Sequence, residues 1–154
     1  MATHFYYPFE KRGNIDFHKL NEYEKYQLSF HPERPKYLDY LSIFDDTKVC
    51  FRSNEYGACL IQTHRANLTI DDVKTPVMLI GQQTGPTSNF KELSKVMRDV
   101  DQMRKWNEGM PTPASYERAI KAINAANKEN RLIIIFVDTP GADPTETSEA
   151  GGIA

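Results

Sequence analysis

Two short segments place glycine beside amide, hydroxyl and carboxyl side chains, each directly after an apolar run. The first is Gly81-Gln82-Gln83-Thr84-Gly85-Pro86, and the second is Asp138-Thr139-Pro140-Gly141-Ala142-Asp143-Pro144. A glycine lets a backbone amide come close to an oxygen atom. Amides presented in this way stabilise an enolate or ureido oxyanion, with effects of about 3 kcal/mol per donor. The same glycines also serve as plain strand-end turns, and spacing alone favours that role. Neither segment carries a phosphate loop or a dinucleotide fingerprint. Asp138 is a candidate general base, although an aspartate after a strand more often caps the next turn.

Other chemistry has little support. His4, His18, His31 and His64 are scattered, and Cys50 and Cys59 form neither a C-x-x-C pair nor a disulfide framework. A metal site is therefore not expected. There is no Gly-x-Ser-x-Gly elbow for a serine hydrolase. Trp106 and the tyrosines and phenylalanines suit a core or an interface better than a base-stacking surface. Arg98, Arg104 and Lys105 could meet a phosphate, but a solvated helix face is the default. The 19 Lys and Arg against 21 Asp and Glu leave a net charge of −2. Bulk attraction to nucleic acid or to anionic lipid is thereby excluded as a source of affinity. No apolar run reaches the ~20 residues of a bilayer span, and the first residues lack a basic stretch followed by an apolar one. A cytoplasmic, metal-free protein with no nucleic-acid or membrane partner is the expectation.

The elements that must position the two segments can be read from the pattern. The 154 residues suffice for one domain. An aromatic arm, Phe5-Tyr6-Tyr7-Pro8-Phe9, precedes a helix that starts at Asn14 or Asp16 and runs to about Phe30, with Leu20, Tyr23 and Gln27 on one face. Pro32 and Pro35 end it, and a short helix follows from Lys36 with Tyr37, Leu38, Leu41 and Phe44 inward. Strands are predicted over 58–69 and 76–83, joined by a hairpin turn at Asp71-Asp72-Val73-Lys74. Phe90, Leu93, Val96, Met97, Val100 and Met103 mark an amphipathic helix that ends near Gly109, Pro111 and Pro113. Tyr116, Ala119, Ile120 and Ile123 repeat the helical spacing up to about Asn130. The unbroken apolar run over 132–137 predicts a parallel strand covered on both faces. Helix then strand after an earlier strand makes a β-α-β unit. The polar residues after Val137 leave that strand without a covering helix, so the fold is expected to continue elsewhere. An apolar face would remain for another chain, and oligomerisation is expected.

Four motifs in order resemble one family. His31-Pro32-Glu33-Arg34-Pro35-Lys36-Tyr37-Leu38-Asp39-Tyr40 is similar to the H-P-x-R-P-x-x-L-D-Y segment of the α subunit of bacterial acetyl-CoA carboxylase carboxyltransferase. Pro76-Val77-Met78-Leu79-Ile80-Gly81-Gln82-Gln83-Thr84-Gly85 resembles its P-V-x-x-I-G-H-Q-K-G strand and loop. Gly109-Met110-Pro111-Thr112-Pro113-Ala114-Ser115-Tyr116-Glu117-Arg118-Ala119 resembles G-M-P-x-P-x-G-Y-R-K-A, and Phe136-Val137-Asp138-Thr139-Pro140-Gly141-Ala142 resembles F-I-D-T-P-G-A. The resemblance covers 28–154. It implies an α/β, crotonase-like spiral of β-β-α units, here incomplete and preceded by N-terminal helices. Residues 1–47 would form the arm and helices, and 48–154 the N-terminal part of the carboxyltransferase domain.

The resemblance also implies a reaction. A carboxyl group passes from carboxybiotin to acetyl-CoA and gives malonyl-CoA, the entry to fatty acid synthesis. Biotin would arrive on a separate biotin carboxyl carrier protein, and a carboxyltransferase β-type subunit would complete the active site. The cofactor supplies the base, while the protein supplies orientation and oxyanion-holding amides. On this reading Gly141 and Ala142 are the catalytic positions. Gln82, Gln83, Thr84, Gly85, Asp138, Thr139 and Pro140 bind the acyl-CoA. The sequence departs from the family pattern at Gln82 and Thr84, which replace His and Lys, and at Asp143, which replaces Tyr and would put a negative charge beside the loop. The Arg of the family's A-E-E-R-G-Q stretch is missing near Ser148-Glu149-Ala150-Gly151-Gly152, and the segment between Gly85 and Gly109 is longer than the family's. A downstream G-G-S-G-G-A segment is not in this sequence, so activity of the chain alone is not expected. Two alternatives stay open: a carboxyltransferase or decarboxylase subunit for another acyl-CoA, and a non-catalytic, diverged assembly subunit.

Overall fold

A computed structural model of the chain describes residues 16–29, 34–52, 60–85, 99, 101 and 105–153. The aromatic arm, His4, His31, Cys59, the apolar positions predicted for the 90–103 helix, Arg98 and Arg104 lie outside the described residues. The chain divides into two units, Met1–Arg34 and Pro35–Ala154.

In the first unit the helix predicted from Asp16 is interrupted. Asp16 accepts from the amide of His18 and caps a single 3-10 turn, Phe17–Lys19, after which Leu20 is extended at φ −75° and ψ 136°. Helix α1, Glu22–Ser29, starts afresh. Its cap is Asn21, which accepts from the Glu24 amide at 2.9 Å, while the Glu24 carboxylate accepts from the Asn21 amide at 2.8 Å. Two good capping side chains five residues apart thus compete, and the reciprocal box at Asn21 starts the longer helix.

The second unit is built on one four-stranded sheet of order β1-β2-β3-β4. The strands are β1 (Asp45–Cys50), β2 (Ile61–Ile70), β3 (Val73–Gln82) and β4 (Leu132–Phe136). β1 and β3 flank β2 antiparallel, and β4 runs parallel to β3. The hairpin turn falls where the sequence predicts, although Val73 and Lys74 already belong to β3. Asp71 and Asp72 take φ of 48° and 62°. Two successive left-handed residues match the twist of the flanking strands, and aspartate tolerates that region better than most side chains. β1 is a strand that the sequence pattern does not predict. Its first residues are polar, and side chains rather than apolar alternation hold it. Thr69 donates to Asp45 at 2.7 Å, while Asn67 and Lys74 reach Asp46 at 2.9 and 2.6 Å.

Alternation along the strands sends two apolar sets to opposite faces. On one face Cys50, Ile61, Met78 and Ile80 pack with Ala122 and Ala126 of helix α2, Pro113–Lys128. On the other, Ala66, Val77 and Leu79 pack with Tyr37 of the 3-10 helix Tyr37–Ile43, joined by Leu38, Leu41, Phe44, Ile134 and Phe136. The inward positions predicted for that short helix are therefore correct. For α2 they are displaced. The buried row is Ser115, Arg118, Ala122 and Ala126, whereas Ile120 and Ile123 are exposed. Small side chains let the helix axis approach the sheet, and the bulkier isoleucines stand on the flank.

β4 is parallel as predicted, but it forms the edge of the sheet among the described residues. Ile133 packs on one face and Ile134 and Phe136 on the other, but Leu132, Ile135 and Val137 are exposed, so the expected cover is incomplete. A short helix α3, Glu146–Ala150, does follow it, capped by Thr145. The observed class is α/β. The β2–β3 hairpin, α2 and parallel β4 reproduce the β-β-α pattern of the crotonase-like expectation, preceded by helical turns.

Candidate active site

Because β3 and β4 are parallel and their last paired residues are Gly81 and Phe136, their following loops emerge side by side. Open α/β sheets bind ligands at such strand ends. Two side chains join the loops. The Gln82 carboxamide oxygen accepts from the Asp138 amide at 2.7 Å. The Thr84 hydroxyl lies 3.0 Å from the Asp138 carbonyl and 3.1 Å from its carboxylate, both acceptors. Thr139 then holds its own turn: its hydroxyl is 2.7 Å from the carbonyls of Gly109 and Gly141, and it accepts from the Gly141 amide at 3.2 Å.

A third loop thereby enters the site. Gly109, at φ +82°, lies so close that a Cβ there would stand 2.8 Å from the Thr84 methyl and 3.6 Å from Pro140. The sequence marks Gly109 only as a helix terminator. Its place within the Gly-Met-Pro-Thr-Pro motif is the available signal that the turn does more.

The sequence-named residues separate into groups. Gln82, Thr84 and Asp138 meet directly, and Thr139 fixes Gly141. Gln83 faces inward instead: it is 1% exposed, accepts from the Leu38 amide at 3.0 Å and donates to the Gly85 carbonyl at 2.8 Å. Gly85 has φ +81°, which explains the glycine. Pro140 and Ala142 are exposed, and a Cβ on Gly141 would meet nothing within 4 Å. Gly81, read as a possible close-approach amide, serves another purpose, since the Tyr37 ring occupies the space a Cβ would need.

Asp138 spans to the neighbouring loop, and the following helix takes its cap from Thr145. Asp143 does not expose its charge beside the loop. It is buried, its amide donates to the Pro111 carbonyl at 3.1 Å, and its carboxylate accepts from Thr145 at 2.8 Å and from the Ser148 hydroxyl. The Ser148 hydrogen bond, more than any other contact, holds this carboxyl below its usual range against the effect of burial.

Beneath the sheet lies a polar pair that the sequence does not reveal. The Tyr37 hydroxyl lies 2.8 Å from His64 Nδ1, and both residues are buried. Burial, then the nearby charges of Arg118 and Arg52, push the His64 pKa down to about 4, while burial raises that of Tyr37. Tyr37 therefore donates to a neutral imidazole. Among the described residues no group of three or more His, Cys, Asp or Glu side chains could hold a metal ion, and no helix is long and apolar enough to cross a membrane.

The family model for acetyl co-enzyme A carboxylase carboxyltransferase-like proteins matches residues 9–154. The chain belongs to this family. It is 34% identical over 149 residues to the acetyl-coenzyme A carboxylase carboxyl transferase subunit alpha of a Sulfurovum species, covering 93% of this chain and 41% of that protein. The subunit of the same name from a Nitratiruptor species is 33% identical over 149 residues, covering 93% and 42% respectively. That of Vesicomyosocius okutanii is 34% identical over 140 residues, covering 88% and 38%. The chain thus spans about two fifths of the length of these curated relatives. Within the carboxyltransferase-like family, the matched region includes all three loops that converge around Asp138.

Proposed function

We propose that this chain contributes to a biotin-dependent carboxyltransferase that moves a carboxyl group from carboxybiotin to acetyl-CoA, giving malonyl-CoA for fatty acid synthesis. The observation that carries the reading is the convergence of the 82–85 and 138–142 loops at the ends of two parallel strands, in a chain of this family. Residues 48–154 would be the N-terminal part of the carboxyltransferase domain, and 1–47 its arm and helices. A β-type subunit and a biotin carrier protein are the proposed partners, in the cytoplasm.

The loops suit an acyl thioester. Beside Gly141 the space is open, and Gln82 and Thr84 present uncharged groups. When bound, biotin supplies the transferred carboxyl group and the base for the acyl methyl. The chain supplies orientation and charge stabilisation. Gln82, Thr84 and Gly85 form one wall, braced from behind by the buried Gln83, and Asp138, Thr139 and Pro140 the other. The amide of Ala142 is the group proposed to take up negative charge growing on the thioester oxygen, joined by that of Gly141 only in exchange for its bond to the Thr139 hydroxyl. Thr139 sets the Gly141 peptide through its hydroxyl.

The test is carboxyl transfer by the natural polypeptide that carries this sequence, purified with its bound subunits. Malonyl-CoA formation from acetyl-CoA that depends on the biotin carrier supports the proposal. Preference for a longer acyl-CoA would move it to the sister reaction. A complex that holds a β-type subunit yet transfers nothing would favour the assembly role and overturn catalysis.

A further inference from the structure

We propose that Gln82 and Thr84 are positioning residues: together they grip Asp138 at its amide and acid ends and so set the 138–142 backbone against the end of β3. The inference rests on the reading of these loops as an acyl-CoA site, but its geometry stands on its own.

The grip comes from the anchored side. Gln82 is the last residue of β3 and is still paired with Ile61 of β2. The amide of the next residue, Gln83, donates to the Leu60 carbonyl at 2.8 Å, and its buried side chain ties Leu38 to Gly85. Thr84 is thus flanked by fixed residues, and its own rotamer is set as well. Its methyl faces Gly109, where a Cβ would intrude at 2.8 Å, which leaves the hydroxyl directed at Asp138. A β-branched side chain has few χ1 choices, so placing the methyl places the hydroxyl. Gln82 captures the Asp138 amide from the opposite end of the same residue.

One consequence separates this role from simple substrate contact: loss of either group should free the 138–142 backbone before any ligand is present.

The experiment compares the natural polypeptide in its complex with Thr84→Val, Thr84→Ser and Gln82→Met, without substrate, by backbone hydrogen exchange resolved to short peptides. Valine keeps the shape of threonine without the hydroxyl, serine keeps the hydroxyl, and methionine approximates the length of glutamine. Thr84→Val and Gln82→Met should each speed exchange over 138–142 by about tenfold or more, with exchange in β2 and β3 unchanged. Thr84→Ser should stay within about threefold of the parent. In the transfer assay the two disruptive variants should lower kcat by on the order of ten- to a hundredfold with a smaller change in KM. Unchanged exchange over 138–142 in both disruptive variants overturns the proposal. Equal acceleration throughout the sheet also overturns it, because the side chains would then serve only general stability. If the parent shows no carboxyl transfer, the functional reading fails while the exchange comparison still decides the positioning role.

Discussion

The ring of Tyr37 lies over the Cα of Gly81, in the space that any side chain at position 81 would claim. The ring seats the 3-10 helix Tyr37–Ile43 on the sheet one residue before the loop that begins at Gln82. Tyr37 also carries the hydrogen bond to His64, so a single residue fills a groove and satisfies a buried imidazole.

Gly81→Ala should therefore destabilise the chain by about 3 kcal/mol or more, as expected for overpacking against a ring that cannot withdraw. Denaturant midpoints give the value. Combined with Tyr37→Ala, the substitution should cost much less than it does alone, with a coupling of more than about 1 kcal/mol. Additive losses would show that the ring and the glycine do not meet.

His64 makes stability depend on pH, and the sign follows from its environment. Its folded pKa of about 4 lies below the ordinary 6.5. Between these values the unfolded chain binds the proton more readily, so stability rises with pH through the window. Stability from this group is complete above about pH 6.5 and lost as pH falls to 4, a change on the order of 3 kcal/mol. Stability curves of the parent and of His64→Gln should diverge in slope across this range. Parallel curves would contradict the buried, neutral ring.

Tyr37→Phe removes the donor and leaves His64 Nδ1 buried without it. A loss of about 1–2 kcal/mol is expected at neutral pH. The variant should also shift the His64 titration, which carbon-bound proton shifts of the imidazole report.

Asp143→Ala should loosen α3 without reaching the sheet. Its carboxylate accepts from Thr145 and Ser148, and Gly151 at the far end of α3 lies close against Pro113. Loss of these contacts should cost about 2 kcal/mol locally. Faster exchange confined to 143–151 is the expected signature, and acceleration in β3 would contradict it.

At the other end of α2, Glu129 pairs with Arg65 and Arg131, and the Arg65 hydrogen bond, followed by that of Arg131, draws its pKa down to about 2. The trio is partly solvent-exposed, so Glu129→Gln should change stability by no more than about 1 kcal/mol, and less in high salt.

What could be read from the sequence follows a physical division. Backbone geometry written in residue type was legible: the Asp71-Asp72 turn, the parallel β4 and the inward row of the 37–43 segment. Features that depend on distant partners were not. β1 begins with polar residues, and its start is held by Thr69, Asn67 and Lys74, which reach Asp45 and Asp46 from β2 and β3. Nothing in the sequence pattern marks Arg118 as interior, yet it lies buried with Nη2 3.4 Å from the Cys50 carbonyl. Ile120 and Ile123 read as core, but the alanine row sits closer to the sheet. In the candidate site the pairing of two glycine-bearing loops was foreseeable from motif order and parallel strands. The division of labour within them was not, since Gln82 and Gln83 are chemically identical neighbours whose side chains diverge, one toward Asp138 and one into the interior.

The most direct measurement is hydrogen exchange of the natural complex with and without acetyl-CoA. Protection should appear together over 82–85 and 138–142, the two loops joined at Asp138. Protection that leaves both loops unchanged, or that falls on only one of them, would contradict a shared acyl-CoA site.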